Sequence, residues 1–203
     1  MKAFYKTVRA PGSGEYREKG SRFLATIYPV SSEDEVKELI AAARKEHPKA
    51  VHHCYAYRIG ADQEHFRFSD DREPSGSAGR PIFGVIQSED LTNVLIIVVR
   101  YFGGTQLGIP GLINAYREAA RTSVLASEVV QVKIMLKWQL SFPMSLSGQV
   151  MRALKKGGAV ILEYQSDALE HISCEIGTEE GNALKHEFVN EYPYAGNVTL
   201  KQI

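Results

Sequence analysis

The sequence is poor in cysteine and tryptophan, and it has no long apolar run. Its two cysteines, Cys54 and Cys174, are far apart and belong to no CxxC pair, so neither a disulfide framework nor a structural zinc site is supported. The longest apolar run, residues 94–99, falls well short of the roughly 18 residues that span a membrane. The first residues lack the apolar segment of a signal peptide. We therefore expect a reduced cytoplasmic protein that does not associate with membranes.

The chain also lacks a net charge. Its 24 Lys and Arg balance 24 Asp and Glu, and neither half is strongly basic. Charge alone therefore does not indicate a nucleic-acid domain, so any affinity for a nucleic acid has to come from local patterning. With 44% hydrophobic and 24% charged residues, the composition is that of a globular protein and excludes a disordered or fibrous one.

The first 130 residues predict a mixed domain of strands and helices. Strands are predicted over residues 3–9 and 22–30, with the turn-rich segment PGSGEYREKG as a loop between them. Ser32 and Glu35 form a capping box before an amphipathic helix that ends before Pro48. Further strands are predicted over residues 54–60, 64–69 and 91–101, and helices over residues 76–87 and 108–126.

The pattern changes near residue 130. Apolar residues alternate from Val132 to Phe142, which predicts one long strand with a polar face. The elements predicted after it are a helix with Leu146, Val150 and Leu154, strands over 160–164 and 169–176, a helix capped by Thr178 with Leu184, Phe188 and Tyr192, and a strand over 197–203. This βαββαβ order is that of a ferredoxin-like fold. The sequence thus predicts two α+β domains, residues 1–130 and 131–203, without a low-complexity linker.

A glycine-rich turn follows the strand that ends at Arg100. Four glycines come between this strand and the next helix, at positions Gly103, Gly104, Gly108 and Gly111. Their spacing is neither that of a dinucleotide-binding motif nor that of a P-loop. Backbone N–H groups at a helix N-terminus stabilise anions, so one interpretation is a phosphate site with Arg100 beside it. The alternative is structural, because glycine permits tight packing and positive φ.

Carboxylates and histidines precede this turn. Asp70, Asp71 and Glu73 lie close to Arg80, and they either hold a divalent cation or accept hydrogen bonds from the loop amides and pair with Arg80 or Arg100. We favour the bracing role and predict neither a metal nor a cofactor. Of the run His52, His53 and Cys54, only alternate residues share a face of a strand, so we expect His52 to face the glycine-rich turn instead of forming a zinc or cysteine-nucleophile site.

Basic and aromatic side chains suggest two further surfaces. Arg117 and Arg121 are four residues apart on the helix after the glycines, and Arg44 with Lys45 ends the first helix, which permits a basic groove or simply solvated helix faces. Aromatic residues also alternate on two predicted neighbouring strands, where they either stack bases or pair inside the core. These are Tyr55, Tyr57, Phe66 and Phe68.

Three long motifs, FSDDREPSGSAGRP, VVRYFGGTQLG and GLINAYREAA, together resemble those of the IMPACT family and its bacterial, YigZ-like members. SRF at residues 21–23 and HHC at residues 52–54 extend the resemblance over nearly the whole chain. It implies a ribosomal-protein-like βα domain followed by a ferredoxin-like domain, both similar to domains of elongation factor G. It also implies a role in translational control or nucleic-acid binding, and it supplies no catalytic residues.

These observations lead us to expect a non-enzymatic protein that binds RNA or a ribosome-associated factor and regulates translation. The sequence gives no DNA-specific signal and no indication of the oligomeric state. The residues expected to contact phosphate or nucleic acid are His52, Arg80, Arg100, Gly103, Gly104, Gly108 and Gly111. Two alternatives stay open: a metal-dependent enzyme acting on a phosphorylated small molecule or nucleotide, and a protein-interaction module that uses the polar face of the later sheet.

Overall fold

The computed structural model describes residues 2–191 and 193–203. The chain folds into two compact units, one of residues 5–132 and one of residues 133–203 with residues 2–4. We call them the N-terminal and the C-terminal unit. Both combine helices with antiparallel sheets, so the predicted α+β class is observed. No helix in the described part of the chain is long and apolar enough to cross a membrane.

The N-terminal unit is built on a five-stranded antiparallel sheet, with strand order β2-β3-β6-β4-β5. A separate pair joins β1 to β7. The strands and helices are β1 (Phe4–Val8), β2 (Gly12–Glu18), β3 (Ser21–Pro29), α1 (Glu33–Glu46), β4 (His52–Ile59), β5 (His65–Ser69), α2 (Gly79–Ser88), β6 (Val94–Tyr101), α3 (Gly108–Leu125) and β7 (Val129–Lys133).

Helices cover both faces of this sheet. Helices α2 and α3 pack with one face, and α1 packs with the other, so side chains of β6 are buried on both sides. A strand covered on both faces is nearly continuously apolar, and β6 is apolar from Val94 to Val99. Helix α1 begins as predicted, because the Ser32 hydroxyl accepts a hydrogen bond from the Glu35 backbone N–H at 3.3 Å.

The prediction that the segment PGSGEYREKG forms a loop is wrong, because most of this segment forms strand β2. Its glycines have a packing role: a Cβ at Gly12 would overlap Ser127, and one at Gly14 would overlap Thr122 at the end of α3. The two glycines thus let the strand and the helix approach closely. Only Lys19 and Gly20, both with positive φ, form the turn into β3.

The C-terminal unit has the element order βαββαβ, and two helices cover one side of a sheet with strand order β11-β8-β10-β9. The predicted long strand from Val132 is interrupted at Ile134, whose carbonyl accepts hydrogen bonds from the backbone and side chain of Thr178. The elements are β8 (Met135–Phe142), α4 (Ser147–Lys156), β9 (Val160–Ser166), β10 (Glu170–Gly177), α5 (Thr178–Asn190) and β11 (Thr199–Gln202).

Thr178 does not cap α5 with its side chain. It is the first residue of the helix, and its hydroxyl donates to the Ile134 carbonyl at 3.1 Å. Leu184 and Phe188 of this helix are buried in the core as predicted, whereas Tyr192 lies outside the described residues. Strand β9 is the exposed edge of the sheet along all seven of its residues.

Candidate functional site

The loop between β5 and α2 contains the predicted carboxylates, and Asp70 organises it. Asp70 Oδ2 accepts a hydrogen bond from the Gly76 N–H at 2.8 Å, and Oδ1 accepts from the N–H groups of Ala78 and Gly79 at 3.0 and 2.8 Å. No described side chain next to α2 supplies this cap, so Asp70 provides it across eight to nine residues of chain. The oxygens that a metal would use are occupied by backbone donors.

Glu73 lies at the centre of a buried polar cluster. Its Oε1 accepts a hydrogen bond from Arg100 Nη1 at 2.6 Å and one from the Tyr116 hydroxyl at 2.7 Å, and His52 Nε2 lies 3.7 Å away. Arg100 is only 6% exposed, with its guanidinium over the rings of Phe23 and Phe102. The carboxylate thus pairs with an arginine inside the protein, where a buried charge requires a partner.

Arg100 therefore does not present its guanidinium on the surface as a phosphate ligand. The sequence places it correctly at the end of β6, beside His52 in register, but its partner is Glu73 and not a solvent-side anion. Tyr116, which lies on the helix predicted over residues 108–126, completes the cluster. The signal for its role was available, because a buried tyrosine hydroxyl needs a hydrogen-bond partner.

Cys54 lies in the same interior and is not a nucleophile. Its thiol donates to the Asp70 carbonyl at 3.1 Å, and its sulfur lies 3.4 Å from the Tyr116 hydroxyl oxygen. Burial raises the pKa of Cys54 above its ordinary value, and burial likewise raises the pKa of Tyr116. Because a reactive cysteine needs an accessible thiolate, both groups stay protonated and serve as structural donors.

Asp71 braces the loop from the other side. Its carboxylate accepts a hydrogen bond from the His53 backbone N–H at 2.7 Å and pairs with Arg44 at 2.9 Å. Burial acts to raise the pKa of Asp71, but the His53 N–H and the Arg44 guanidinium lower it below its ordinary value. The Asp71 carbonyl accepts from His52 Nδ1 at 2.8 Å, so His52 holds the carboxylate loop instead of the glycine-rich turn.

Asp71 and Arg72 have strained backbones. Both have positive φ, 39° and 73°, and each such residue costs about 1 kcal/mol unless glycine takes its place. The hydrogen bonds to His52 and His53 hold this conformation. The strained turn directs Glu73 into the buried cluster and leaves Arg72 exposed.

The glycine-rich turn is exposed, and its glycines have separate roles. Gly103 packs against the backbone of Gly20, and its N–H donates to the Ser21 hydroxyl at 3.2 Å. Gly104 and Gly108 have positive φ of 87° and 69°, whereas Gly111 lies within the first turn of α3. We call residues 102–110 the glycine loop. It leads into a helix that has no side-chain cap and no acidic residue in its first turn.

The remaining predicted residues do not gather at the glycine loop. Arg80 is exposed on α2, and Arg44 is committed to Asp71, so the predicted groove of Arg44 with the helix α3 arginines is not a row of free cations. Arg121 pairs loosely with Glu118 at 3.9 Å, and Arg117 is exposed. Among the described residues, no group of three or more His, Cys, Asp or Glu side chains could hold a metal ion.

The four aromatic residues predicted to share a surface lie on opposite faces of the sheet. Tyr57 is buried on the α1 face, and Tyr55 packs there too. Phe66 and Phe68 pair in register with Arg58 and Ala56, which places them on the α2 face. The four side chains therefore do not form one stacking row. The pairing of β5 with β4 is shifted by one residue from the register that would place all four on the same face.

The open face of the C-terminal sheet has a cavity of about 670 Å³ that is lined largely by polar side chains. Ser141 Oγ lies 2.8 Å from His171 Nδ1 on the neighbouring strand, and His171 Nε2 lies 3.7 Å from the Asp167 carboxylate. Ser141 and His171 are direct cross-strand neighbours. This row gives the face hydrogen-bonding capacity, as expected for the polar face of an antiparallel sheet.

The capping role of Asp70 predicts a measurable loss of stability. Asp70→Ala should lower the free energy of unfolding by about 2 kcal/mol, since three backbone N–H groups lose their acceptor, and Asp70→Asn should lose less because asparagine also caps helices well. Urea denaturation followed by circular dichroism measures both. Adding Mg²⁺ or a chelator should leave the unfolding temperature of the wild type unchanged. A Mg²⁺-dependent rise that Asp70→Asn abolishes would contradict the capping role.

Comparison with known proteins agrees with the motifs. The Impact N-terminal domain matches residues 19–124, which contain the carboxylate loop, the buried cluster and the glycine loop. IMPACT family member YvyE of Bacillus subtilis is 34% identical over 180 residues, covering 89% of this chain and 83% of that protein. IMPACT family member YigZ of Escherichia coli is 39% identical over 100 residues, covering 48% and 49%. The chain belongs to the IMPACT family.

One solved structure, titled as the crystal structure of a hypothetical protein, matches over 100% of this chain and 98% of its own, with a TM-score of 0.74. Its sequence is 23% identical, so the match concerns the fold alone. This similarity of fold covers both the N-terminal and the C-terminal unit.

Proposed function

We propose that this protein is a non-enzymatic, cytoplasmic protein that binds RNA or a ribosome-associated factor and thereby regulates translation. The observation that carries the proposal is the exposed glycine loop before the uncapped N-terminus of α3. Backbone N–H groups at such a terminus, without a capping side chain or an acidic residue in the first turn, favour an anion such as a phosphate. Membership of the IMPACT family supports it.

We also propose a fold for each of the two units. The βαββαβ order and the strand order β11-β8-β10-β9, in which the first and third strands of the unit are central and the fourth and second form the edges, support a ferredoxin-like C-terminal unit. We propose a ribosomal-protein-like fold for the N-terminal unit, and hence a similarity of both units to elongation factor G domains. A pair of domains of this kind suits contact with ribosomal RNA.

The binding atoms on this proposal are the backbone amides of the glycine loop and not the Arg100 guanidinium. Arg100 is buried against Glu73, so its removal would test stability more than binding. Thr105 and Gln106 are exposed at the tip of the loop, where a change of charge alters the local potential without disturbing the core. These two positions therefore test the proposal cleanly.

We expect the double variant Thr105→Glu, Gln106→Glu to raise the dissociation constant for RNA by at least about tenfold, because like charges at a contact cost several kcal/mol. The measurement is fluorescence anisotropy with labelled transfer-RNA and ribosomal-RNA fragments at low and moderate salt. Thr105→Gln is the matched control, since it adds a side chain of similar size without charge and should bind as the wild type does. Wild-type binding should weaken with salt.

Equal affinity of the two variants would contradict a phosphate contact at the glycine loop. Absence of any saturable RNA binding by the wild type would contradict the proposed function as a whole. It would favour the second candidate, a protein-interaction module that uses the polar face of the C-terminal sheet, and the exposed edge strand β9 of the same sheet adds a specific observation for it. Unpaired edges are templates for strand addition by a partner.

A further inference from the structure

Two phenylalanines on the edge strand β5 are exposed although they touch the hydrophobic core. Phe66 is 50% exposed and Phe68 is 39% exposed, whereas Phe83 of α2, which both contact, is buried. Phe66 stacks on Phe83 with ring centroids 4.6 Å apart and an angle of 17° between the planes, and Phe68 lies 5.8 Å from Phe83. We call Phe66 and Phe68, held on Phe83, the aromatic shelf.

Helix α2 runs antiparallel to β5 along this shelf. A Cβ at Gly79 would meet the Ser69 backbone at 2.7 Å, Phe83 contacts both phenylalanines, and Asp90 after the helix accepts a hydrogen bond from Gln63 before the strand. These three contacts between α2 and β5 fix the positions of the two rings. The shelf is therefore preorganised, with the Phe66 ring stacked on Phe83 and still half exposed.

Exposed residues of α2 extend the surface beside the rings. Arg80 lies one helical turn before Phe83, at the positively polarised N-terminal end of the helix. One turn after Arg80 comes Gly84, where no heavy atom of the described residues lies within 4 Å of an added Cβ. Glycine inside a helix costs about 1 kcal/mol relative to alanine, and no contact within the described structure requires it. An open backbone here suits the close approach of a ligand.

We propose that the aromatic shelf, with Arg80 and the open turn at Gly84, is a binding site for single-stranded RNA, in which bases stack on Phe66 and Phe68 and a phosphate meets Arg80. Flat rings presented to solvent beside a cation are the combination that unpaired nucleotides require. The inference rests on the proposed RNA-binding function and adds a site distinct in sequence from the glycine loop.

The chemistry favours RNA over an apolar protein segment as the occupant. A protein partner would bury the shelf by hydrophobic contact, for which any apolar side chain of similar size suffices. Base stacking instead requires an aromatic face. Arg80 at one end of the shelf supplies charge complementary to phosphate, which an apolar segment would leave unused.

The test uses a labelled 12-nucleotide single-stranded RNA of mixed sequence and the full chain. Phe66→Leu, which keeps the apolar bulk, should weaken binding at least about fivefold, and Phe66→Trp should retain it. Arg80→Gln should weaken binding and reduce the slope of log affinity against log salt by about one. Phe4→Leu makes the same change at a phenylalanine of similar exposure, 46%, that lies outside both proposed sites, and it serves as the matched control.

Gly84→Ala gives an independent readout, because stability and binding should change in opposite directions. The unfolding temperature should rise, since alanine is the better helix former. RNA affinity should fall, since the new methyl group lies where the ligand approaches. A loss of affinity in this variant cannot then be due to unfolding.

The outcomes separate the two proposals. If the wild type binds RNA but Phe66→Leu and Gly84→Ala bind equally well, the aromatic shelf is overturned while the proposed function stands. If Phe66→Leu binds RNA as the wild type does and only Phe66→Ala is weaker, the contact is apolar and stacking is overturned. If the wild type binds no RNA, both proposals fall. Weaker binding of Phe66→Leu with retention in Phe66→Trp supports the shelf.

Discussion

Replacing Arg100 by alanine is expected to lower the free energy of unfolding by about 3–5 kcal/mol. The variant leaves the Glu73 carboxylate buried without its cationic partner, although the Tyr116 hydroxyl still donates to it. Removing one member of a buried ion pair is costly because the remaining charge is neither solvated nor compensated. The guanidinium also packs over Phe23 and Phe102, so packing is lost as well.

Urea denaturation followed by circular dichroism measures this loss. Trp138 is the only tryptophan and lies in the C-terminal unit, so its fluorescence reports on that unit, while hydrogen exchange of peptides from β6 reports on the mutated one. The matched control is Arg22→Ala, whose pair with Glu15 is exposed and should contribute nothing measurable. A small effect in Arg100→Ala, similar to that of the control, would contradict a buried ion pair.

Replacing Gly103 by alanine should be almost as damaging, at about 3 kcal/mol. An added Cβ would overlap the backbone of Gly20 and Ser21, and backbone atoms cannot move aside as the end of a flexible side chain can. The turn between β2 and β3 would have to separate from the end of β6. The hydrogen bond from the Gly103 N–H to the Ser21 hydroxyl would then be lost too.

Gly104→Ala is the matched comparison one residue further on. No heavy atom of the described residues lies within 4 Å of its added Cβ, and its cost should come only from the positive φ of 87°, at roughly 1 kcal/mol. The same denaturation measurement ranks the two variants. A larger loss for Gly104→Ala than for Gly103→Ala would contradict the packing argument.

Local signals in the sequence predicted the elements that propensity and capping define. Ser32 with Glu35 begins α1, and the alternation along β8 and the spacing of Val150 and Leu154 on α4 gave the order of the C-terminal unit. Strand β2 was predicted as a loop because glycine usually indicates a turn. Here glycine serves the contact with α3, and that helix is a hundred residues away in the sequence.

The candidate site likewise has features that local sequence signals predict and features that only long-range contacts produce. The sequence by itself determined that the histidines begin a strand, that the carboxylates lie in the loop before α2 and that the arginine and glycines end a strand and precede a helix, since strand ends and turns are short-range patterns. Only the tertiary structure decided that Arg100 points inward to Glu73 and that Tyr116 joins them. Only the tertiary structure placed Phe66 and Phe68 on the face of the sheet that lies away from Tyr55 and Tyr57. Strand register depends on pairing between segments, and a shift of one residue exchanges the faces.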